Sequence, residues 1–343
     1  MKVIYSDEQK RHHPRFFLTN GKMVTNPEMP ERADILFEAA LTSGLSHEVP
    51  DDFGLDPVAR IHSTEYIDFL NTIYERWRQL DNASDEVLPK VHPDRRDGVY
   101  PESPIGQTGY HMADSSCPIS GETWGSALRS AHSATQAARE VLSGERSCYG
   151  LARPPGHHAF SDIAGGFCYF NNSAIAAEVL RDQHERVAII DVDLHHGNGT
   201  QGIFYERGDV LTVSIHADPR NFYPFLWGNR SEEGEGEGEK CNLNLPLELK
   251  TGDHGFLKAT EEAMERVENF NPGAVVVALG LDASGKDPFG GLSVTTAGFA
   301  KIASMIAEIG KPTVLIQEGG YISDELGRNL SSFLEGFQAN HKI

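Results

Sequence analysis

No apolar run in the chain approaches the roughly 20 residues that a membrane-spanning helix needs. The amino terminus, MKVIYSDEQKRHHPRFF, turns polar after five residues and has no secretory hydrophobic stretch. These absences predict a cytoplasmic protein with no membrane partner. Cysteine is scarce: Cys117, Cys148, Cys168 and Cys241 are scattered with no C-x-x-C pair, so neither a cysteine zinc knot nor a disulfide framework is indicated. Positive charge is also in short supply. With 30 Lys and Arg against 50 Asp and Glu, the formal charge of −20 disfavours nucleic acid and anionic lipid, and it attracts cationic ligands over some distance. No G-x-S-x-G elbow stands at a strand-to-helix turn, which argues against a Ser-His-Asp hydrolase of that kind. Neither an internal repeat nor a convincing interdomain linker is found.

What is present is an ordinary globular composition, 39% hydrophobic with 34 glycines and 18 prolines. Short apolar runs recur: KVIYS at the start, VAIIDVDL from Val187, VLTVSIH from Val210, GAVVVALGLD from Gly273 and PTVLIQEGG from Pro312. Runs of that length suit buried parallel strands. Between them lie Ala-rich or charged segments at helical spacing, such as NNSAIAAEVLRD and GFLKATEEAMERVENF. Strand and helix alternate, which predicts a doubly wound α/β sheet with ligands outside the carboxyl ends of the strands. Residues 80–123 break the alternation and read as a long loop insertion, a length that usually has a task. The run SEEGEGEGEK from Ser231 reads as a solvated loop.

The strand ends carry the chemistry. RPPGHHAFSDIAGGF, residues 153–167, sets His157 and His158 in tandem after a Pro-Pro-Gly bend, which would let two neighbouring imidazoles converge on one site. In DVDLHHGNG, Asp191, Asp193 and His195 alternate with Val192 and Leu194, so period two brings the three polar side chains to one face. Two carboxylates and an imidazole at a buried strand end need a cation or one another. An EF-hand loop is excluded, because its sixth position would be His196 rather than Gly and its twelfth Gly202 rather than Glu. VALGLDASGKDP delivers Asp282 to the same rim, making Asp193, His195 and Asp282 a three-ligand set with an open position, as in a catalytic zinc site. LIQEGGY turns on two glycines and aims Tyr321 at the rim.

RPPGHHA, GGFCYFNN, DVDLHHGNGTQGIFY, ALGLD and EGGY, in this order, resemble the histone deacetylase and acetylpolyamine amidohydrolase family of the arginase-deacetylase fold. ERADIL, CPISGETW and ERGDV more particularly resemble its bacterial acetylpolyamine amidohydrolases. The resemblance implies a single domain over residues 1–343 with a central eight-stranded parallel sheet flanked by helices. It implies one zinc ion per subunit on Asp193, His195 and Asp282. His158 would be general base and then general acid, backed by Asn198, and His157 would pair with Asp191 as an orienting or electrostatic group. Tyr321 would share the oxyanion with the metal. Phe167 and Tyr223 would line the substrate tunnel, with Gly166 accepting a hydrogen bond at its carbonyl. Asp191 and Ser214, with main-chain carbonyls near Asp193, His195 and Ile215, would hold a structural potassium ion.

The activity so implied is removal of acetyl groups from acetylated primary amines, most specifically small cationic acetylpolyamines such as acetylputrescine or acetylcadaverine. Alternatives are deacetylation of acetyl-lysine peptides or deacylation of another small amide. An arginase-like ureohydrolase with two manganese ions would need further carboxylates where Gly197 and Ser284 stand. A noncatalytic binding module would not need the full set of reactive residues. The family's insertion pairs subunits and narrows the mouth, so residues 80–123 imply a homodimer. Acidic side chains expected to contact the polyamine are replaced here by Phe17 and Ile105, with Glu102 and Asp114 nearby.

Overall fold

All five apolar runs become strands of one sheet in the computed structural model, which describes residues 1–93 and 96–342. Positions 94 and 95 of the expected insertion, and residue 343, lie outside the described residues. In chain order the strands are β1 (Lys2–Ile4), β2 (Phe16–Thr19), β3 (Lys22–Thr25), β4 (Ser46–Glu48), β5 (Ser147–Gly150), β6 (Val187–Asp191), β7 (Val210–Ala217), β8 (Asn242–Leu247), β9 (Ala274–Leu279) and β10 (Thr313–Gln317). β2 and β3 form a separate antiparallel hairpin, closed by Asn20 and Gly21 at φ of 49° and 73°. Two consecutive left-handed residues suit the twist of such a hairpin, and an Asn-Gly pair adopts them at little cost. The remaining eight strands make one parallel sheet in the order β4-β1-β5-β10-β9-β6-β7-β8.

Successive residues of the central strands enter different cores. Ala188, Ile190, Val275 and Val277 pack with Leu36, Phe256, Phe299 and Phe333 from helices Glu31–Thr42, Asp253–Phe270, Thr296–Ala307 and Leu326–Asn340. Val187, Ile189, Val276 and Val314 pack with Phe69, Ala131 and Ile175 from helices Thr64–Trp77, Thr123–Leu142 and Asn172–Leu180. Helices on both faces leave no solvated side, which is why these strands are apolar without alternation.

Register places the site. Gly150, Ile316, Ala278 and Asp191 form one row across β5, β10, β9 and β6. β5 and β6 follow each other in the chain yet flank β10 and β9, so four loops from distant parts of the sequence meet beyond this row. That is where an open α/β sheet leaves room for a ligand.

The 80–123 segment is not the unbroken loop expected. Val87 and Ile119 bridge within it, and Pro104–His111 is a helix capped by the Ser103 hydroxyl, which accepts the Ile105 N–H at 3.3 Å. Eight residues are too few for a visible helical period, and the Pro and Gly among them argue against one. The Gly-Glu run is a largely exposed loop around a short turn at Gly236–Gly238. Among the described residues no helix is long and apolar enough to cross a membrane.

Candidate active site

Beyond Asp191 the backbone of β6 continues against its neighbours. The Val192 N–H donates to the Ala278 carbonyl at 3.0 Å, and the Leu194 carbonyl accepts from Ala217 at 2.9 Å. Val192 and Leu194 remain in the core, leaving Asp191, Asp193 and His195 to the rim. Each carboxylate also accepts the N–H two residues on, from Asp193 at 3.0 Å and from His195 at 2.9 Å, so the strand end is tightly turned. Asp282 arrives from β9, its Oδ1 accepting the Leu194 N–H at 2.9 Å. His195 Nδ1 then lies 3.2 Å from Asp193 Oδ1 and 3.1 Å from Asp282 Oδ2.

One ligand atom from each of Asp193, His195 and Asp282 lies within 4.8 Å of the others, all three residues being buried. Burial, and next the charge of Asp193, raises the Asp282 carboxyl above the ordinary range. Burial pushes Asp193 the same way but is outweighed by His157 and His195. On His195 burial opposes charge, yet the bonds from Asp193 and Asp282 lift it to about 9. Among the described residues, neither carboxylate is paired with Lys or Arg. Two carboxylates and one imidazole, converging without a basic partner, fit a divalent cation with positions left over for a substrate.

Gly319 shows how closely the backbone frames this set. Its N–H donates to Asp193 Oδ2 at 2.8 Å, and a Cβ there would come within 2.4 Å of Asp282 Oδ2 and 2.5 Å of Asp193 Oδ2. A neighbouring group of possible donors, His157, Cys168 and Glu318, fits a metal less well. Burial pushes the Cys168 thiol well up, and Glu318 is committed to the backbone.

That commitment sets the tandem histidines. Glu318 Oε2 accepts the N–H groups of Gly156 and His157 at 2.6 and 3.0 Å, while its Oε1 accepts the Ser173 hydroxyl at 2.7 Å. The ring centroids of His157 and His158 stand 4.0 Å apart on the bend, yet their partners differ. His157 Nδ1 meets Asp191 Oδ2 at 2.9 Å, and His158 Nδ1 meets Asn198 Oδ1 at 2.7 Å. Burial works against a charge on His157, but Asp193 and Asp191 outweigh it and lift the imidazole to about 10. A cation on Asp193 would weaken one of these supports and leave Asp191. On His158 burial, then the neighbouring His157 and His195, drive the imidazole well below its usual range. A neutral His158 donating from Nδ1 to Asn198 presents Nε2 as an acceptor.

Above these groups opens a cavity of about 610 Å³. His157, His158, His195, Gly166, Phe167 and Tyr223 line it, and Tyr321 reaches it from β10. Gly166 and Phe167 are both left-handed, at φ of 53° and 70°, in a tight turn closed by Cys168 N–H to the Gly165 carbonyl at 2.8 Å. A side chain at Gly166 would strike His158 Cδ2 at 2.3 Å, and the unusual backbone at Phe167 presents its ring to the cavity. Burial, partly offset by Arg32, keeps the Tyr321 phenol protonated. Ser214 is the register partner of Asp191 on β7, its hydroxyl shared with His216 Nδ1 at 2.9 Å, and Ile215 is buried beside it. Phe17 lines the mouth, whereas Ile105 packs on the core behind Pro104–His111. Glu102 is exposed and does not line the cavity. Asp114 stands behind the wall, its Oδ2 accepting the Tyr223 hydroxyl at 2.7 Å and the Gly166 N–H at 3.2 Å.

A family profile described as histone deacetylase domain matches residues 26–337. The chain belongs to the histone deacetylase family. It is a hydrolase of the deacetylase class, as its motifs led us to expect. The acetylpolyamine amidohydrolase of Burkholderia pseudomallei is 43% identical over 343 residues, with 99% of each chain covered. Acetylpolyamine amidohydrolase 1 of Pseudomonas aeruginosa is 40% identical, covering 98% of this chain and 99% of its own. The crystal structure of the Burkholderia pseudomallei acetylpolyamine aminohydrolase matches with a TM-score of 0.97 at 42% identity, over 100% of both chains.

Three groups that frame this deacetylase's site lie within motifs named above, yet the motifs gave them no role of their own. Glu318 clamps the His-His bend, Asp287 Oδ2 accepts the Tyr321 N–H at 2.9 Å, and the Arg32 guanidinium lies 4.8 Å from the Tyr321 ring centroid. Glu318 does carry a signal, being an acid at the end of an otherwise apolar run, where burial lifts it to about 7. Asp287 and Arg32 carry none, since each sits in a polar stretch.

The closeness of Gly319 to both carboxylates makes a test that does not depend on turnover. Gly319→Ala should weaken the binding of a divalent cation by Asp193, His195 and Asp282 about 10- to 100-fold, as loss of outer support of ligands commonly does. Titration with a competing chelator would read this, and unaltered affinity would show that the frame around Asp193 and Asp282 is looser than described.

Proposed function

We propose that the enzyme is a zinc-dependent amidohydrolase that removes acetyl groups from acetylated primary amines, with small acetylpolyamines such as acetylputrescine and acetylcadaverine as substrates. The observation that carries this reading is the meeting of three kinds of group at one cavity: His195, which lines it and stands within 3.2 Å of Asp193 and Asp282, a neutral His158 and a protonated Tyr321. The names of relatives that align over nearly the whole chain support the polyamine class.

A divalent cation held by Asp193, His195 and Asp282 would polarise the acetyl carbonyl and acidify a water beside it. His158 Nε2 takes the proton from the attacking water, while Asn198 fixes the tautomer that makes this possible. Tyr321 donates its hydroxyl hydrogen to the carbonyl oxygen as negative charge develops there. His158 then returns the proton to the leaving amine, and acetate and the free amine separate. His157, charged against Asp191, orients and stabilises without carrying the proton. Phe167 and Tyr223 flank the chain of methylenes, and the Gly166 carbonyl accepts the amide N–H. Asp191 and Ser214, cross-strand neighbours, would hold a structural potassium ion with carbonyls near Asp193, His195 and Ile215.

Acetate release from acetylputrescine, acetylcadaverine and an acetyl-lysine peptide tests the assignment. Release should stop on chelation and return with about one equivalent of zinc per subunit. Dependence on two manganese ions, or no release from any acetylated amine, would overturn it.

His158→Ala should abolish nearly all turnover, His157→Ala should leave more, and Tyr321→Phe should lower kcat by about 10²- to 10³-fold with substrate still bound. Equal losses in the two histidine variants with metal retained would mean that the roles are wrongly divided. A Tyr321→Phe enzyme within a few-fold of the parent would remove the tyrosine from the mechanism.

We infer further that residues 80–123 pair two copies of the chain and narrow the mouth, since the segment reaches the cavity wall through Asp114. Deletion of residues 84–115 should halve the mass in solution and admit longer acetyl-lysine peptides. An unchanged mass with unchanged peptide rejection would refute it.

A further inference from the structure

The outer half of the cavity has a chemistry that amide hydrolysis does not require. Phe289 and Phe167 both adjoin Tyr321, at 4.8 and 5.9 Å between centroids, and Phe17 lies further out at 5.6 Å from Phe167. A second series runs from Tyr223 to Phe225, 6.4 Å apart, and Phe225 is 58% exposed at the mouth. Phe17 is carried there by the hairpin β2–β3, whose Asn20 also lines the rim. The polar groups of the mouth, among them Thr19, Asn20, Ser116 and Asn221, are neutral. Among the described residues, none that line the cavity is Asp, Glu, Lys or Arg. Asp114 is turned into the wall, its Oδ1 accepting the Ser116 N–H at 2.7 Å and its Oδ2 serving Tyr223 and Gly166.

A protein of net charge −20 draws cations towards it, yet the residues lining this mouth offer a cation no carboxylate, only aromatic rings and neutral oxygens such as those of Asn20 and Asn221. Aromatic faces attract cations through their quadrupole, and a quaternary ammonium, being less strongly hydrated than a primary one, gives up its water to them more readily. We propose that the distal cation of the substrate is held by the rings of Phe17 and Phe225, at the outer end of the cavity, without an ion pair. The substrate class is therefore N-acetylated amines whose far end is an alkylated or quaternary ammonium, with primary diamines accepted but not preferred. This rests on the deacetylase reading above, since it uses the same cavity.

The test compares three compounds of one length on the zinc enzyme: acetylcadaverine, its analogue with a terminal trimethylammonium group, and the uncharged isostere ending in a tert-butyl group. Binding by calorimetry and acetate release are both measured. The trimethylammonium compound should bind and turn over at least as well as acetylcadaverine and better than the isostere. Phe225→Leu, at a largely exposed position, should raise KM for the trimethylammonium compound about three- to five-fold more than for the isostere. A drop of ten-fold or more on trimethylation would overturn the proposal in favour of a hydrogen-bonded ion pair. Equal binding of the cation and its isostere would overturn it in favour of a merely apolar collar. If the binding order holds but no acetate appears, the mouth is as proposed and the deacetylase reading fails. If acetate appears with the order reversed, the mouth is wrong and that reading survives.

Discussion

Burying two carboxylates side by side at a sheet rim carries a penalty of several kcal/mol for each, and their mutual repulsion adds to it unless positive charge lies between them. Asp193 and Asp282 are in that position, with the His195 ring between them and the N–H groups of Gly319 and Leu194 as closer neutral donors. The arrangement persists because the three strands that supply it are locked in register, Asp191 opposite Ala278 and Ala278 opposite Ile316. No one of the loops could relax away from the repulsion without breaking the sheet beneath it. The packing energy of two apolar cores is thus what holds an unfavourable charge arrangement ready for a cation.

The same electrostatic frame divides the labour of the tandem histidines. Both rings are buried and nearly touch, so burial alone would make both neutral. One has a carboxylate behind it and the other an amide. The carboxylate stabilises a positive ring, and the resulting charge on His157 makes protonation of His158 still harder. In the proposed mechanism such a ring, neutral at rest and poor at keeping a proton, suits a base that takes one from water only as the bond to carbon forms and then releases it to an amine.

Much of this was legible in the sequence, for reasons that can be localised. β6, β9 and β10 are apolar through their middles because they are covered on both faces, and the loops after them carry Asp193, Asp282 and Tyr321 in motifs that stand out against such runs, while β7 was read from its Val and Ile despite Thr212, Ser214 and His216. β4, β5 and β8 escaped notice. β4 is three polar residues at an edge, β8 alternates Asn with Leu at the other edge, and β5 is SCYG, four residues without a β-branched side chain. Their number came from the family resemblance alone. The hairpin β2–β3 was marked by Asn20-Gly21 between apolar residues, a signal that was present but unread. Asp287 and Arg32 could not have been found, because what they do depends on the path of the chain around Tyr321, and no local pattern encodes that.

Whether one cation or two can be held here is decided by space as much as by donor chemistry. A second metal beside the first would need a carboxylate two residues after His195, at Gly197. A Cβ at that position would lie 2.3 Å from Asp191 Oδ2, the oxygen that bonds His157. Any side chain there would displace Asp191 and with it the partner that separates the two histidines. The second position, Ser284, is buried, and its hydroxyl accepts the Lys286 N–H at 3.2 Å within the turn that leads to Asp287. Enlarging it would disturb the loop whose next carboxylate holds the backbone of Tyr321. The groups to which the proposed mechanism gives proton transfer and the oxyanion therefore crowd the two positions from which a binuclear cluster would draw its further carboxylates, and at Gly197 any such carboxylate would have to displace Asp191.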